Sequence, residues 1–342
     1  MKKAIAVVAS ITILSLLCVI GFGIAAVAMG LPFAMDRIDR YVDFKSFVPY
    51  VNVGEIVSET IGVITVDDFV ADQNQKESLD FQNEFLDLNG ITKITIDVDA
   101  AKVEIKPITG DIANITVKSV GNTDYKRSLK AQINGKTAVI ESHVNNFSSI
   151  TLNRRTTVLI ELPVKNYDTL AVSLNAGDLS LDSVTCDDFS LKLNAGNMDV
   201  KNITAKRATL DSNAGNIEVK DIFAKTLEID NDAGQVVVHS AKGDVLKIKD
   251  NAGNVVIKDG CTFSEEIEAS VNMGNIDIKL SRDVGFTLSY NTTMGRFENS
   301  FNGEITQSKR SEGITSREGT FTYGDGSCKI SLKADMGNIT IQ

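Results

Sequence analysis

One short phrase returns along the second half of the chain at nearly fixed spacing, and it limits the fold more than any other feature. "LKLNAGNMDV" at 191–200 returns as "LDSNAGNIEV" at 210–219. Aligned on their glycines, the units centre on Gly177, Gly196, Gly215, Gly234, Gly253, Gly274, Gly295 and Gly337, with steps of 19, 19, 19, 19, 21, 21 and 42. A period near 20 with one turn signal per unit marks a solenoid, because so small a unit can bury an apolar face only against its neighbours.

Apolar residues keep fixed places relative to the glycine. Val172, Leu191, Leu210 and Ile229 stand five positions before it, and Leu179, Met198, Ile217 and Val236 two positions after. Each unit therefore reads as two short strands with alternate residues inward, and the glycine at the bend between them. Glycine suits a corner that requires φ > 0. The residue before it, alanine in five units and methionine in three, is expected to fill a tight inner corner. The Asn or Asp two positions before it is expected to bond to turn backbone or to its neighbours as a ladder. These glycines are structural turn residues, without a role in chemistry.

The same frame extends in both directions. In "ITIDVDAAKVEI", Ile94, Ile96, Val103 and Ile105 fall on inward columns if Ala101 replaces the glycine, four of the shorter steps before Gly177. This predicts an early rung, with the period-two segments between 112 and 160 forming hairpins around it. Ser316 stands where another glycine is due, so "ITQSKRSEGITSREGTFTY" predicts a hairpin or bulged excursion. The last phrase, "MGNITIQ", reads as an uncapped final rung, to be covered by the 297–325 excursion or by another chain. An uncapped rung exposes unpaired backbone, so self-association through the C-terminal rung is a second expectation. The fold class is all-β: a single-stranded β-solenoid or β-helix-like stack of about 19–21-residue rungs over residues 89–342, preceded by one N-terminal transmembrane helix.

The anchor is expected over residues 1–35. After Lys2 and Lys3 no charge occurs from Ala4 to Met35. About 20 apolar residues span a bilayer core, so the run is long enough, and the leading lysines favour an inside start. The expected location is thus a single-pass cell-membrane protein whose C-terminal domain is extracytoplasmic. The rival is a cleaved signal peptide, with Ala26-Val27-Ala28 as a small-x-small site, but signal cores usually run to about 7–15 residues. Ser15-Leu16-Leu17 before Cys18 lacks the small residue that lipidation would need. Residues 36–88, mixed and then acidic, read as a juxtamembrane stalk or linker.

Charge and residue types narrow the function classes. Beyond the two lysines, 33 basic residues face 45 acidic ones, a net charge of −12 that repels nucleic acid. Cys186, Cys261 and Cys328 have no Cys-x-x-Cys spacing and read as buried free thiols. His143 and His239 are too few and too differently placed for a metal site, and no cofactor is expected. One outward column, five positions after successive glycines, holds Lys201, Lys220, His239, Lys258 and Lys279. Stacked about 4.8 Å apart, they form a candidate stripe for an anionic polymer or lipid headgroup. Asp199, Glu218 and Asp277 lie two positions earlier and are placed to neutralise it.

The anchor, the phrase "LPVKNYDTLAVSLNAGDLSL", the tandem "AGNIxV" units and the closing "GDGSCKISLKADMGNITI" together resemble the bacterial toast-rack family, an adhesin-like domain, over roughly residues 90–342. That resemblance implies a membrane-associated β-solenoid-like protein linked with cell-envelope stress signalling, of a family without an established enzymatic activity and without functional residues to carry over. The expected function is a scaffold or interaction role in envelope maintenance or stress signalling, with an envelope or membrane protein as partner. The alternatives are a surface adhesin for a host or matrix ligand and, further off, a carbohydrate-active enzyme. The short, nearly loop-free units count against the enzyme, and the absence of a long repeat array or sorting tail counts against the adhesin.

Overall fold

In the computed structural model, which describes residues 78–121, 127–144, 155–310 and 316–342, every regular element is a β-strand. No helix among the described residues is long and apolar enough to cross a membrane. The segment expected to be an anchor lies outside them. In chain order the strands are β1 (Ser78–Asp87), β2 (Lys93–Ala100), β3 (Lys102–Ile108), β4 (Ile112–Gly121), β5 (Arg127–Asn134), β6 (Thr137–Val144), β7 (Arg155–Pro163) and β8 (Asn166–Ala176). The repeats follow as β9 (Leu179–Ala195), β10 (Met198–Ala214), β11 (Ile217–Met273) and β12 (Ile276–Ile278). The chain closes with β13 (Phe286–Met294), β14 (Phe297–Asn299), β15 (Glu304–Arg310), β16 (Arg317–Tyr323), β17 (Cys328–Met336) and β18 (Ile339–Ile341).

The sequence period becomes a pairing register. Met198 lies between Leu179 and Ile217, and Leu210 between Leu191 and Ile229, each pair parallel and one period apart. The inward columns are buried: Leu191, Leu210, Val200 and Val219 expose none of their surface. The early rung also lies where the spacing puts it, with Ile94 opposite Leu170 and Val103 opposite Leu179.

Each turn has three sides, one more than the sequence reading expects. Val184 and Cys186, Ile203 and Ala205, and Ile222 and Ala224 form a third inward pair of columns, all at most 7% exposed. Ser183, Asn202 and Asp221, at φ 60°, 57° and 52°, turn the corner into it. Small residues such as Ala and Cys suffice on this narrow side, so its apolar alternation is faint in the sequence.

The glycines form one file. A Cβ built on Gly196 would lie 1.9 Å from the carbonyl oxygen of Gly177, and one on Gly177 would lie 2.0 Å from that of Ala101. The corner therefore excludes a side chain by contact between turns as well as by backbone angle. The alanine and methionine column beside it faces outward and does not fill an inner corner, since Met294 and Met336 are 52% and 42% exposed.

Both ends depart from sequence order. β6 and β8 flank β2, while β7 and β9 flank β3, so the 109–165 excursion adds outer strands to the first rung. Three antiparallel pairs finish this end: β1 with β4, β4 with β7, and β5 with β6. β1 lies within the stretch expected to be stalk and moves the start of the sheet to Ser78. Its glutamine replaces strand backbone: Gln82 Nε2 donates to the Arg127 carbonyl at 2.7 Å, and Leu129 N–H donates to Gln82 Oε1 at 3.0 Å.

At the other end, the last rung in sequence is not the last in space. β17 lies between β11 and β13, and β18 between β12 and β14, all parallel. Lys329 Nζ spans the neighbours β17 and β11 with a 2.7 Å ion pair to Glu266 Oε1. The uncapped C-terminal rung is therefore corrected, and that rung offers no open face for self-association. The excursion is the expected hairpin: β15 and β16 pair antiparallel with a bulge between Ile305 and Gln307, and β16 covers β13. Asn299, which breaks an inward column, ends β14 by accepting the Phe301 N–H at 2.9 Å.

Candidate functional site

Four sets of side chains are drawn into files by the stacking, three facing out and one facing in. The lysine column forms in register, with Lys201 opposite Lys220. Much of it is neutralised. Lys220 Nζ lies 2.8 Å and His239 Nε2 2.7 Å from the same Glu218 Oε1, and Lys201 Nζ lies 3.4 Å from Asp182 Oδ2. Lys220 first, then His239, holds the Glu218 carboxyl below its usual range. Asp182 takes the place expected of Asp199; among the described residues neither Asp199 nor Asp277 makes an ion pair with the column. Lys258 and Lys279 continue it toward the C-terminal end.

Two polar ladders flank the glycine file. Two positions before it, Asn194 Nδ2 donates to Asn175 Oδ1 at 3.0 Å, and Asn272 Nδ2 to Asn251 Oδ1 at 2.9 Å, as the sequence predicts. One position after it runs a second ladder that sequence reasoning passed over. Asn216 Nδ2 and its backbone N–H both donate to Asn197 Oδ1, at 3.1 and 3.3 Å, and Asn338 N–H donates to Asn275 Oδ1 at 2.9 Å. The asparagine closing each "AGN" triplet was its signal. Successive rungs thus close side-chain donors and acceptors on one another.

The inward file is unusual. Three positions before the glycines the interior column reads Leu174, Leu193, Ser212, Asn231, Asp250, Val271, Ala334 and Thr292 in spatial order. Ser212, Asn231 and Asp250 are 2%, 0% and 2% exposed. Asp250 Oδ1 accepts the Ala252 N–H at 3.1 Å. Among the described residues, its Oδ2, the Ser212 hydroxyl and both amide atoms of Asn231 lack a hydrogen-bond partner. Burial pushes the Asp250 carboxyl up to about 7. The Asn231 amide opposes this only weakly, since it faces Asp250 without reaching hydrogen-bond geometry. The break in an apolar column was visible in sequence, but only once the third inward position of that strand was known.

The three described cysteines are free and buried, as expected. Burial pushes the Cys186 thiol up to about 12 and the Cys261 thiol up to about 11. Since the thiolate is the reactive form, all three will stay unmodified when the native chain meets a thiol reagent at pH 8, and all three will react after denaturation. Mass spectrometry of the two samples reads this directly; rapid native labelling of any one of them contradicts the packing. Among the described residues no group of three His, Cys, Asp or Glu is placed to hold a metal ion.

With the geometry in view, comparison with known proteins gives a family. The family model described as Toastrack DUF4097 matches residues 91–342. No curated protein matches the chain. Among solved structures, a candidate cell adhesion protein from Clostridium sporogenes is similar at 15% identity, covering 77% of this chain and 99% of its own, with a TM-score of 0.27. A candidate adhesin from Bacteroides fragilis is similar at 12% identity, covering 78% and 97%, with a TM-score of 0.45. A candidate lipid binding protein from Parabacteroides distasonis is similar at 13% identity, covering 77% and 97%, with a TM-score of 0.40. At these identities and scores, none says what this chain binds.

Proposed function

Since the chain belongs to the Toastrack DUF4097 family, we propose that it is a membrane-anchored, extracytoplasmic interaction scaffold serving cell-envelope maintenance or envelope-stress signalling. The observation that carries this reading is the regularity of the outer surface. Similar groups recur in successive turns, about 4.8 Å apart, and are tied to one another by the asparagine ladders and by ion pairs between turns such as His239–Glu218. Such a surface suits an extended partner and rigid display. Catalysis requires a nucleophile, base or oxyanion donors gathered at one point, and the described residues of this surface do not gather them. The uncharged run from Ala4 to Met35 supplies the tether, and the lysines before it the orientation. A membrane protein of the envelope is the partner we favour.

In-cell crosslinking of the full chain, followed by identification of what co-purifies, tests the proposal. Recovery of a membrane-embedded sensor or stress-response protein is the expected result. Recovery of a host or matrix protein would replace the reading with that of an adhesin. The lysine column is a second contact surface. Reversing Lys258 and Lys279 to glutamate should weaken association with vesicles containing anionic lipid if the stripe binds headgroups, and unchanged association removes it from the site.

A further inference from the structure

The column immediately before the glycines changes character at the C-terminal end. It is alanine in five successive turns, from Ala176 to Ala252, and methionine in the last three. In sequence these methionines are far apart, at 273, 294 and 336. In space they are consecutive, because β17 is inserted between β11 and β13: Met273 is the register partner of Met336, and Met336 of Met294. They lie on the outer column: Met294 and Met336 are 52% and 42% exposed, and Met273 is half-buried. A buried methionine needs no explanation beyond packing. Three outward-facing ones, side by side where alanine serves elsewhere, add apolar surface to solvent and lose side-chain entropy when ordered.

We propose that Met273, Met336 and Met294 form a thioether site for a soft monovalent cation of the copper(I) class. Neighbouring strands place equivalent side chains about 4.8 Å apart. Metal–sulfur bonds of about 2.3 Å put three sulfurs in a plane about 4 Å from one another; each outer methionine stands about 4.8 Å from Met336, but Met273 and Met294 are two strand spacings, about 9.6 Å, apart, so both side chains must lean in over Met336. Methionine's three rotatable bonds take up the difference. Thioethers select copper(I) and its analogue silver(I) over harder ions. The flanking columns favour that selection: Asn272, Thr293, Asn275 and Asn338 offer uncharged groups, and the one carboxylate, Asp335, is held by Lys333 at 3.2 Å. Arg296 is exposed beside the column and free of ligand capacity. The three buried thiols are withdrawn from competition by their packing.

The repeat itself supplies the control. Changing the three methionines to alanine copies the other five turns, so the Met273→Ala, Met294→Ala, Met336→Ala variant should fold as the parent does, read by circular dichroism. Changing all three to leucine keeps the apolar bulk and removes only sulfur. The full chain, in detergent and with methyl-labelled methionine, is titrated with silver nitrate and, under reductant, with copper(I) competed by a chelator. The expected result is that three of the seven methionine methyl signals shift together and saturate at one ion per chain, and that both variants lose this uptake. Uptake retained by the leucine variant, or shifts in which the three methyl groups do not move together, overturns the site and leaves the column as an apolar contact surface.

Discussion

Replacing Gly215 with alanine will cost the fold about 4 kcal/mol, far more than a methyl group added to any outward column. The glycine sits at φ +142°, in a region L-residues rarely enter, and the new Cβ would lie 1.6 Å from the carbonyl oxygen of Gly196. That carbonyl belongs to the backbone of the turn below, so no rotamer change relieves the clash. The two turns must separate, and the strands on either side lose their register. Ala214 next to it faces out, and its column already accepts methionine in other turns, so Ala214→Met should stay within about 0.5 kcal/mol of the parent. Chemical denaturation of the three proteins measures the contrast. If Gly215→Ala unfolds at the parental midpoint, the close file of glycines is wrong.

Neutralising Asp250 will stabilise the chain at and above neutral pH. The sign follows from linkage. A carboxyl raised in the folded state to about 7 from its ordinary value near 3.8 binds its proton more tightly folded than unfolded. Its stability is therefore fully present below about pH 4 and is lost progressively as pH rises through 7. A shift of that size corresponds to on the order of 4 kcal/mol by pH 8. Asp250→Asn copies Asn231 one turn away and removes the titration. The denaturation midpoints of parent and variant should agree near pH 4 and diverge as pH climbs to 7. Parallel curves would mean that the carboxyl is solvated or already satisfied. The exposed carboxylates act in the opposite direction. Glu104 is held down by Lys102 and Lys106, Glu218 by Lys220, and Glu266 by Lys329. They lose their contribution as pH falls below about 4.5 while the Asp250 contribution falls above about 4, so the parent should be most stable between about pH 4 and 5.

A polar file inside an apolar stack is unfavourable by burial alone, as the unpartnered Asn231 amide makes plain. It marks the turns of Gly215, Gly234 and Gly253 as the weakest part of the interior column. Local opening of the stack should begin there, and hydrogen exchange of the amides of 212, 231 and 250 would show it against those of Leu191 or Ile330.

Much of the fold could be read before any coordinates. The inward positions of Leu191, Val200 and Ile96, the pairing of Ile94 with Leu170 four periods away, and the 304–323 hairpin all follow from spacing. They follow because a parallel stack repeats one environment at every turn, so the same column demands the same kind of residue. Of the acids expected to neutralise the lysine column, Glu218 does so, while Asp199 and Asp277 make no ion pair with it among the described residues and the partner of Lys201 is Asp182. Asp182 belongs to an edge of the repeat, where a column begins.

Sequence alone determined the rung, its period, its corner and the faces of its main strands, since those are local consequences of alternation and of where a side chain can exist. Tertiary structure decided the order of the turns at the two ends. It decided that β1 joins the sheet along β4 and reaches β5 through Gln82, that a third side encloses the core, and that Met336 falls between Met273 and Met294. None of these leaves a periodic trace. Several strands of like pattern could pair equally well with the last repeat, and the choice between them rests on non-local packing such as that of Phe286 against Phe301 and Phe321.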